Sequence, residues 1–291
     1  MAAISADIVV RAPRTRWLRE TIRRHPTVVA GSLILLAMVV MAVFAPYLGT
    51  VDPIAVAPVK RLRFPSELYW FGTDAYGRDV YSRTLYGARV SLQVGLGVAF
   101  FATVFGLAIG LVTGFVRLAD ALLMRVMDGL MSVPPVLLAI ALMALTKASL
   151  GNVIIAITIS EVPRVARLVR GVVLSLREQP FVEAAMAAGT SLLRTLWRHI
   201  LPNTIAPVLV QATYICASAM ITEAVLSFIG AGTPPQIPSW GNIMAEGRLY
   251  FEIRPYLIIF PGLFLSATVL AVNLVGDGLR DALDPRLARR M

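Results

Sequence analysis

"EAAMAAGTSLLRTLWRHILPN", Glu183–Asn203, is a polar stretch between two apolar ones. Its first part, Phe181–Ala188, reads as a short alanine-rich helix with Glu183 near its positive N-terminal end. Gly189 is suited to end that helix, because glycine adopts the left-handed conformation at little cost. Thr190 or Ser191 stands where a second helix would be capped. That helix carries Leu192, Leu193, Leu196, Trp197 and Ile200 on one side, and Arg194 and Arg198 together elsewhere. Pro202 precedes the next apolar run. The expected element is a helix–turn–helix lying on a membrane surface. From the residues alone, two uses stay open. One is an amphipathic helix resting in the interface. The other is a rigid elbow whose Ala/Gly surface lets a second protein approach closely.

The membrane itself is inferred from composition. Of 291 residues, 57% are hydrophobic and 15% charged, whereas soluble domains carry about 25% charge. So much apolar surface has no core to hide in, and lipid is the natural solvent. The net charge of +10 sits in the gaps between apolar runs, which fits membrane topology better than a nucleic-acid patch. The lone Cys216 reads as a packing residue. His25 and His199 are far apart, and no Cys/His spacing suits a metal.

Six runs approach the roughly 20 apolar residues that a crossing needs: Thr27–Leu48, Val90–Val116, about 130–146, about 152–173, Thr204–Phe228 and Tyr256–Val275. The first reads as a true anchor behind a basic arm (1–26), not as a cleaved signal. Prolines in "SVPP" and "SEVPR" make the third and fourth less regular. With both termini cytoplasmic, 18 of the 27 basic residues lie inside and nine outside, as the positive-inside rule prefers. The fold class expected is an all-α membrane protein. Residues 49–89 and about 229–255 then form long outer loops, structured by Pro, Trp and Tyr. Residues 90–276 form a five-helix core, with the polar stretch in an inner loop (177–203) and 277–291 as an inner tail.

An energy source is missing. Neither lysine, Lys60 or Lys147, stands in a phosphate-binding loop, and no nucleophile elbow or zinc-protease motif is present. No residue is a catalytic, cofactor or metal candidate. Glu223, deep in the fifth run, is the carboxylate most exposed to the cost of burial in lipid. It is either hydrogen-bonded inside the bundle, lining a pathway, or coupling protons.

The polar stretch resembles the EAA loop of ATP-binding-cassette importer permeases: Glu183-Ala184-Ala185, Gly189 and Leu201-Pro202 stand at the family spacing, with His199 where isoleucine is usual. "FGTDAYGRDVYSRTLYGARVSLQVG" (71–95), "DGLMSVPPVLLAI" (128–140), "EAVLSFIGAGTPPQIPSWGNIM" (223–244) and "FPGLFLSATVLAVNLVGDGLRDALDPR" (260–286) are similar, in the same order, to the C-type (OppC/DppC-like) permeases of oligopeptide and dipeptide importers. Nickel-importer permeases share much of this pattern. The resemblance implies a type I importer permease fold. It implies a heterodimer with a homologous B-type permease, two separate ATPase subunits that bind ATP and Mg, an extracytoplasmic binding protein and a peptide substrate. Glu183, Ala184, Ala185, Gly189, Leu201 and Pro202 would couple to the ATPase. An ion-coupled carrier working alone is the reading from another class.

Three further groups are weighed on residues. Asp74, Arg78 and Asp79 either contact an outer partner or form a turn around Gly77 tied by a surface ion pair. "PPQIPSW" (234–240), with an interfacial tryptophan, either gates the outer mouth or caps it. Asp277, Arg280, Asp281 and Asp284 follow the sixth run, spaced for a short helix with an Arg280–Asp284 pair that is either a solvated helix end or a contact with the ATPase surface.

Overall fold

The computed structural model describes residues 26–283. Most of the expected basic arm, Asp284 and the last arginines lie outside the described residues. The chain is a bundle of helices: α1 (Pro26–Phe44), α2 (Val80–Phe115), α3 (Arg117–Met131), α4 (Pro135–Ala144), α5 (Leu150–Arg177), α6 (Pro180–Ala187), α7 (Leu192–Thr195), α8 (Leu201–Phe228), α9 (Trp240–Gly247) and α10 (Tyr256–Leu283). Four stretches are long and apolar enough to cross a membrane: Pro26–Tyr47, Val80–Phe115, Leu192–Phe228 and Tyr256–Leu283. Their outer faces carry Leu33, Leu36, Leu96, Phe100, Leu209, Leu263 and Leu270 exposed. In water such a belt would be untenable, and in lipid it is solvated.

The third expected run does not form one helix. It straddles a 90° bend between α3 and α4. Pro134 and Pro135 cause it: proline lacks the N–H and bars the preceding residue from helical geometry. The 10 residues of α4 span about 15 Å, half the hydrocarbon depth. The fourth run is longer than expected. α5 has 28 residues, with Glu161 near its middle and Arg164, Arg167 and Arg170 in its second half.

What sets the bundle's geometry is the seam between α2 and α5. Gly106, Gly110 and Gly114 lie on one face of α2, four apart, opposite Val165, Val169 and Val173 of α5. A Cβ on each would fall 2.4 Å from Val165 Cβ, 2.5 Å from Val169 Cβ and 2.4 Å from Val173 Cγ1. No real pair of carbons sits so close, so only glycine allows this approach. Gly95 does the same toward α8, where a Cβ would meet Met220 Cγ at 2.8 Å. α1 is pinned to α10 through Gly31, against Leu274. Val94, Val98, Ala102, Ile157, Val165, Val169 and Ile215 fill the interior with no exposed surface.

At one end of the bundle, residues 49–79 and 230–255 fold over the helices as a shared cap. Arg78 Nε donates to Asp74 Oδ2 at 2.6 Å and its Nη2 bonds Glu246 of α9. Arg83 of α2, fully buried, stands 3.3 Å from Glu246 and 3.6 Å from Asp74. The Asp74–Arg78 pair is thus buried inside a four-charge cluster, where the sequence reading has it on the surface. Burial raises the Glu246 carboxyl above the usual carboxylate range, against the opposing pull of Arg83 and Arg78. The Tyr256 hydroxyl bonds the Arg63 and Thr73 carbonyls at 2.7 and 3.0 Å. Trp240 corrects a second expectation. It is fully buried, not interfacial: its Nε1 donates to the Thr84 carbonyl at 3.0 Å, and its ring fills the space that Gly87 leaves. The Asn242 side-chain nitrogen reaches the carbonyls of Thr233, Pro234 and Ile237 and so ties "PPQIP" down.

Two outcomes follow from these contacts. Gly110→Leu drives carbon into Val169, whereas nothing lies within 4 Å of a Cβ at Gly151. Gly110→Leu is expected to abolish the monodisperse peak in detergent size-exclusion chromatography and Gly151→Leu to keep it; equal behaviour would contradict the seam. Glu246→Ala strips a buried cluster of one partner, which costs about 3 kcal/mol or more. A thermal melt in detergent should show a clear drop in Tm, and an unchanged melt would mean that the cluster is solvated.

Candidate functional site

The elbow occupies the end of the bundle away from the cap, since α8 separates them by 28 residues, about 42 Å. Pro180 opens α6, its missing N–H costing nothing in a first turn. Gly189 closes it at φ +81°. The Thr190 N–H returns to the Ala185 carbonyl at 3.1 Å and the Gly189 N–H to Met186 at 3.0 Å. This pair of bonds satisfies the orphan carbonyls of the last turn and requires a left-handed residue at Gly189. No atom of the chain lies within 4 Å of a Cβ there, so backbone conformation, not space, demands glycine.

The second half departs from expectation. Ser191 holds the N-cap position of α7, but its side chain makes no capping bond. α7 is not a separate surface helix. It passes through a π-helical turn, Leu196–Ile200, directly into α8. Pro202 explains the turn: it has no N–H for the carbonyl four residues back, and the Leu201 N–H bonds Leu196, five back, instead. The elbow is therefore rigidly continuous with a membrane-crossing helix. The apolar side expected of Leu192, Leu193, Leu196, Trp197 and Ile200 is divided. Ile200, with Val182 of α6, is buried as an anchor, while Leu193 and Trp197 are each 66% exposed. Phe181, Met186 and Leu192 are exposed as well. Around this apolar patch Glu183, Ala184, Ala187, Ala188, Gly189 and Pro202 also face outward, with Ala185 and Leu201 half-buried. His199 packs its ring 6.3 Å from that of Phe181, and its carbonyl accepts from Asn203 at 2.6 Å.

The other expected residues fall elsewhere. Asp74 and Arg78 are buried in the cap cluster, and Asp79 caps α2 by accepting from the Ser82 N–H at 2.8 Å. Tyr76 is what that turn leaves exposed. Glu223 has no exposed surface. One carboxylate oxygen accepts from Ser227 at 2.8 Å, and the other has no partner among the described residues. Asp277, Arg280 and Asp281 lie on the last turns of α10, which runs through to Leu283 without a break. Sequence reading missed the pairs that tie α3 to α5: Arg170 holds Asp120 at 2.5 and 2.8 Å, and Arg167 holds Asp128 at 2.6 Å. Their partners are 39 and 50 residues apart, and no local pattern marks them.

Comparison with known proteins agrees with this architecture. Residues 102–289 match the family described as binding-protein-dependent transport system inner membrane component, and residues 16–62 match the N-terminal TM domain of oligopeptide transport permease C. The chain is 57% identical to the probable peptide ABC transporter permease protein y4tQ of Sinorhizobium fredii, over 99% of both chains. It is 41% identical to the dipeptide transport system permease protein DppC of Alkalihalophilus pseudofirmus, over 92% of this chain and 88% of that one. It is 40% identical to the glutathione transport system permease protein GsiD of Pectobacterium atrosepticum, over 97% and 94%. Among solved structures, an inward-facing form of the MetNI methionine ABC transporter superposes with TM-score 0.55 at 21% identity. The match covers 69% of this chain and 96% of that one, and establishes a common fold. With a polytopic bundle, an exposed elbow and these relatives, this chain belongs to the binding-protein-dependent inner membrane components, as an OppC/DppC-like ABC-importer permease.

Proposed function

We propose that the chain is the C-type permease of an ATP-driven importer of oligopeptides or dipeptides. It forms the translocation path with a homologous B-type permease, receives substrate from a binding protein at the capped end, and couples at the elbow to two separate ATPase subunits. Six membrane passes with both termini inside complete this reading; α3–α4 makes one pass, broken by its bend, and α5 makes a further, unbroken one. The elbow carries the proposal. A helix closed by a left-handed glycine, with alanines and an exposed apolar patch around it, is what a cleft in a second protein can grip. Its continuity with α8 means that a push on the patch moves a membrane-crossing helix rather than a loose loop. The names of the relatives, peptide, dipeptide and glutathione permeases, support a peptide substrate. Glu223 serves in this account as an internal hydrogen-bond acceptor for the loop after α8, and Asp74, Arg78 and Asp79 as the frame of the cap.

The mechanism that follows is alternating access. ATP binding draws the two ATPases together, the elbows move with them, and the bundles rotate as rigid bodies between two packings. No hydrolytic chemistry occurs in this chain.

Gly189→Arg is expected to lower ATP-dependent peptide uptake by proteoliposomes at least tenfold, through lost ATPase binding or uncoupled hydrolysis; normal uptake would count against docking at the elbow. Orientation is checked with single cysteines at the exposed Leu193 and Tyr76, in a background where buried Cys216 is silent. An impermeant maleimide added to intact cells should label Tyr76→Cys and spare Leu193→Cys, and the reverse pattern would invert the topology.

A further inference from the structure

A group of polar side chains gathers at the seam between α5 and α8. Glu161 is buried, and its Oε2 accepts from Arg164 Nη1 at 2.9 Å. Arg164 lies over the ring of Tyr214, 5.6 Å from its centroid. Ser218, one turn along α8, faces Glu161. Gln211, three residues before Tyr214 on the same face, has a buried side-chain nitrogen without a partner among the described residues. The two helices thus run antiparallel here, matching 161 with 218 and 164 with 214. Arg164 neighbours Val165, which packs on Gly106 inside the apolar run 90–116. The group is therefore within the depth of the hydrocarbon.

At that depth the exposure of the cluster is informative. The Arg164 side chain is 35% exposed and Tyr214 54%. A guanidinium turned to lipid is costly, so such residues face a watery cavity or another polar group. Nη1 is committed to Glu161, and the remaining guanidinium nitrogens donate to no acceptor among the described residues. A planar fork with free donors, held in place from behind by a buried carboxylate, is the geometry that takes a second carboxylate. The aromatic face of Tyr214 fixes its other side.

We propose that Arg164, braced by Glu161 and Tyr214, lines the translocation path and binds the C-terminal carboxylate of the passing peptide. The proposal rests on the peptide-importer reading and adds the group that is recognised. Bound to the fork, a free carboxylate takes the donors that Glu161 leaves open. Release requires only that the facing bundle withdraw, because Glu161 still balances the charge of Arg164.

The test uses the whole complex in proteoliposomes, with the same peptide carrying a free or an amidated C-terminus. The quantity read is each variant's uptake relative to wild type, so that selection by the binding protein cancels. Arg164→Gln is expected to reduce uptake of the free peptide at least tenfold and of the amide less than twofold. Tyr214→Ala, at an exposed position that does not endanger folding, should show the same preference at about threefold. Equal losses for both peptides in both variants would overturn the proposal and leave a structural role. Loss of the second permease on purification of Arg164→Gln, with Tyr214→Ala unselective, would overturn it in favour of a subunit contact. A wild-type complex that imports neither peptide would instead sink the underlying functional reading.

Discussion

The three glycines of α2 that press against the valines of α5 are the constraint on which the bundle depends. In lipid there is no hydrophobic drive to push helices together, so close van der Waals contact must supply the cohesion. Gly106, Gly110 and Gly114 remove every side-chain atom from the α2 face at the seam, and Val165, Val169 and Val173 fill the vacated groove with stiff, single-rotamer side chains. With α5 held against α2 on one face, its charged side chains reach other helices. Arg167 and Arg170 reach α3, Glu161 turns toward α8, and Arg164 is left at the α5–α8 seam. The seam therefore decides both what holds the helices and where polarity can exist inside them.

The two ends of the bundle are built by different means. The capped end relies on desolvated charge, with Asp74, Arg78, Arg83 and Glu246 neutralising one another. A buried cluster of this kind is sensitive to the loss of any partner but fixes the register of two loops separated by more than 150 residues. The elbow relies on backbone. Its hydrogen bonds close locally, two side chains anchor it, and the remainder of its surface is left uncovered. One end thus holds its loops to the bundle while the other presents a stiff, exposed handle. This division suits a subunit that receives motion at one face and substrate at the other.

Much of this was legible beforehand. Four of the six apolar runs fell on helices long and apolar enough to cross a membrane, and Gly189, following an alanine-rich segment, takes the left-handed turn expected of it. The EAA spacing pointed to the family. What sequence could not show was determined by long-range contact. The turn around Gly77 looked like a surface feature because Arg83 and Glu246, its partners, lie on other elements. Trp240 looked interfacial because the hole left by Gly87 is 153 residues away in sequence. "SVPP" warned of irregularity but not of a right-angle bend. Glu223 drew attention as a lone carboxylate in a clear span, whereas Glu161 and Arg164 were hidden in a run whose charges read as its inner end. Only the pairing of α5 with α2 places them beside the apolar run 90–116.

In the proposed function, motion enters this chain through the elbow from a motor in another subunit. Site-specific photocrosslinking from Ala187, which points away from the bundle, tests it most directly in the assembled complex. A crosslink to an ATP-hydrolysing subunit, persisting through the nucleotide cycle, is expected. A probe at Ala187 that captures only lipid, or that reacts with the extracytoplasmic binding protein, would contradict it.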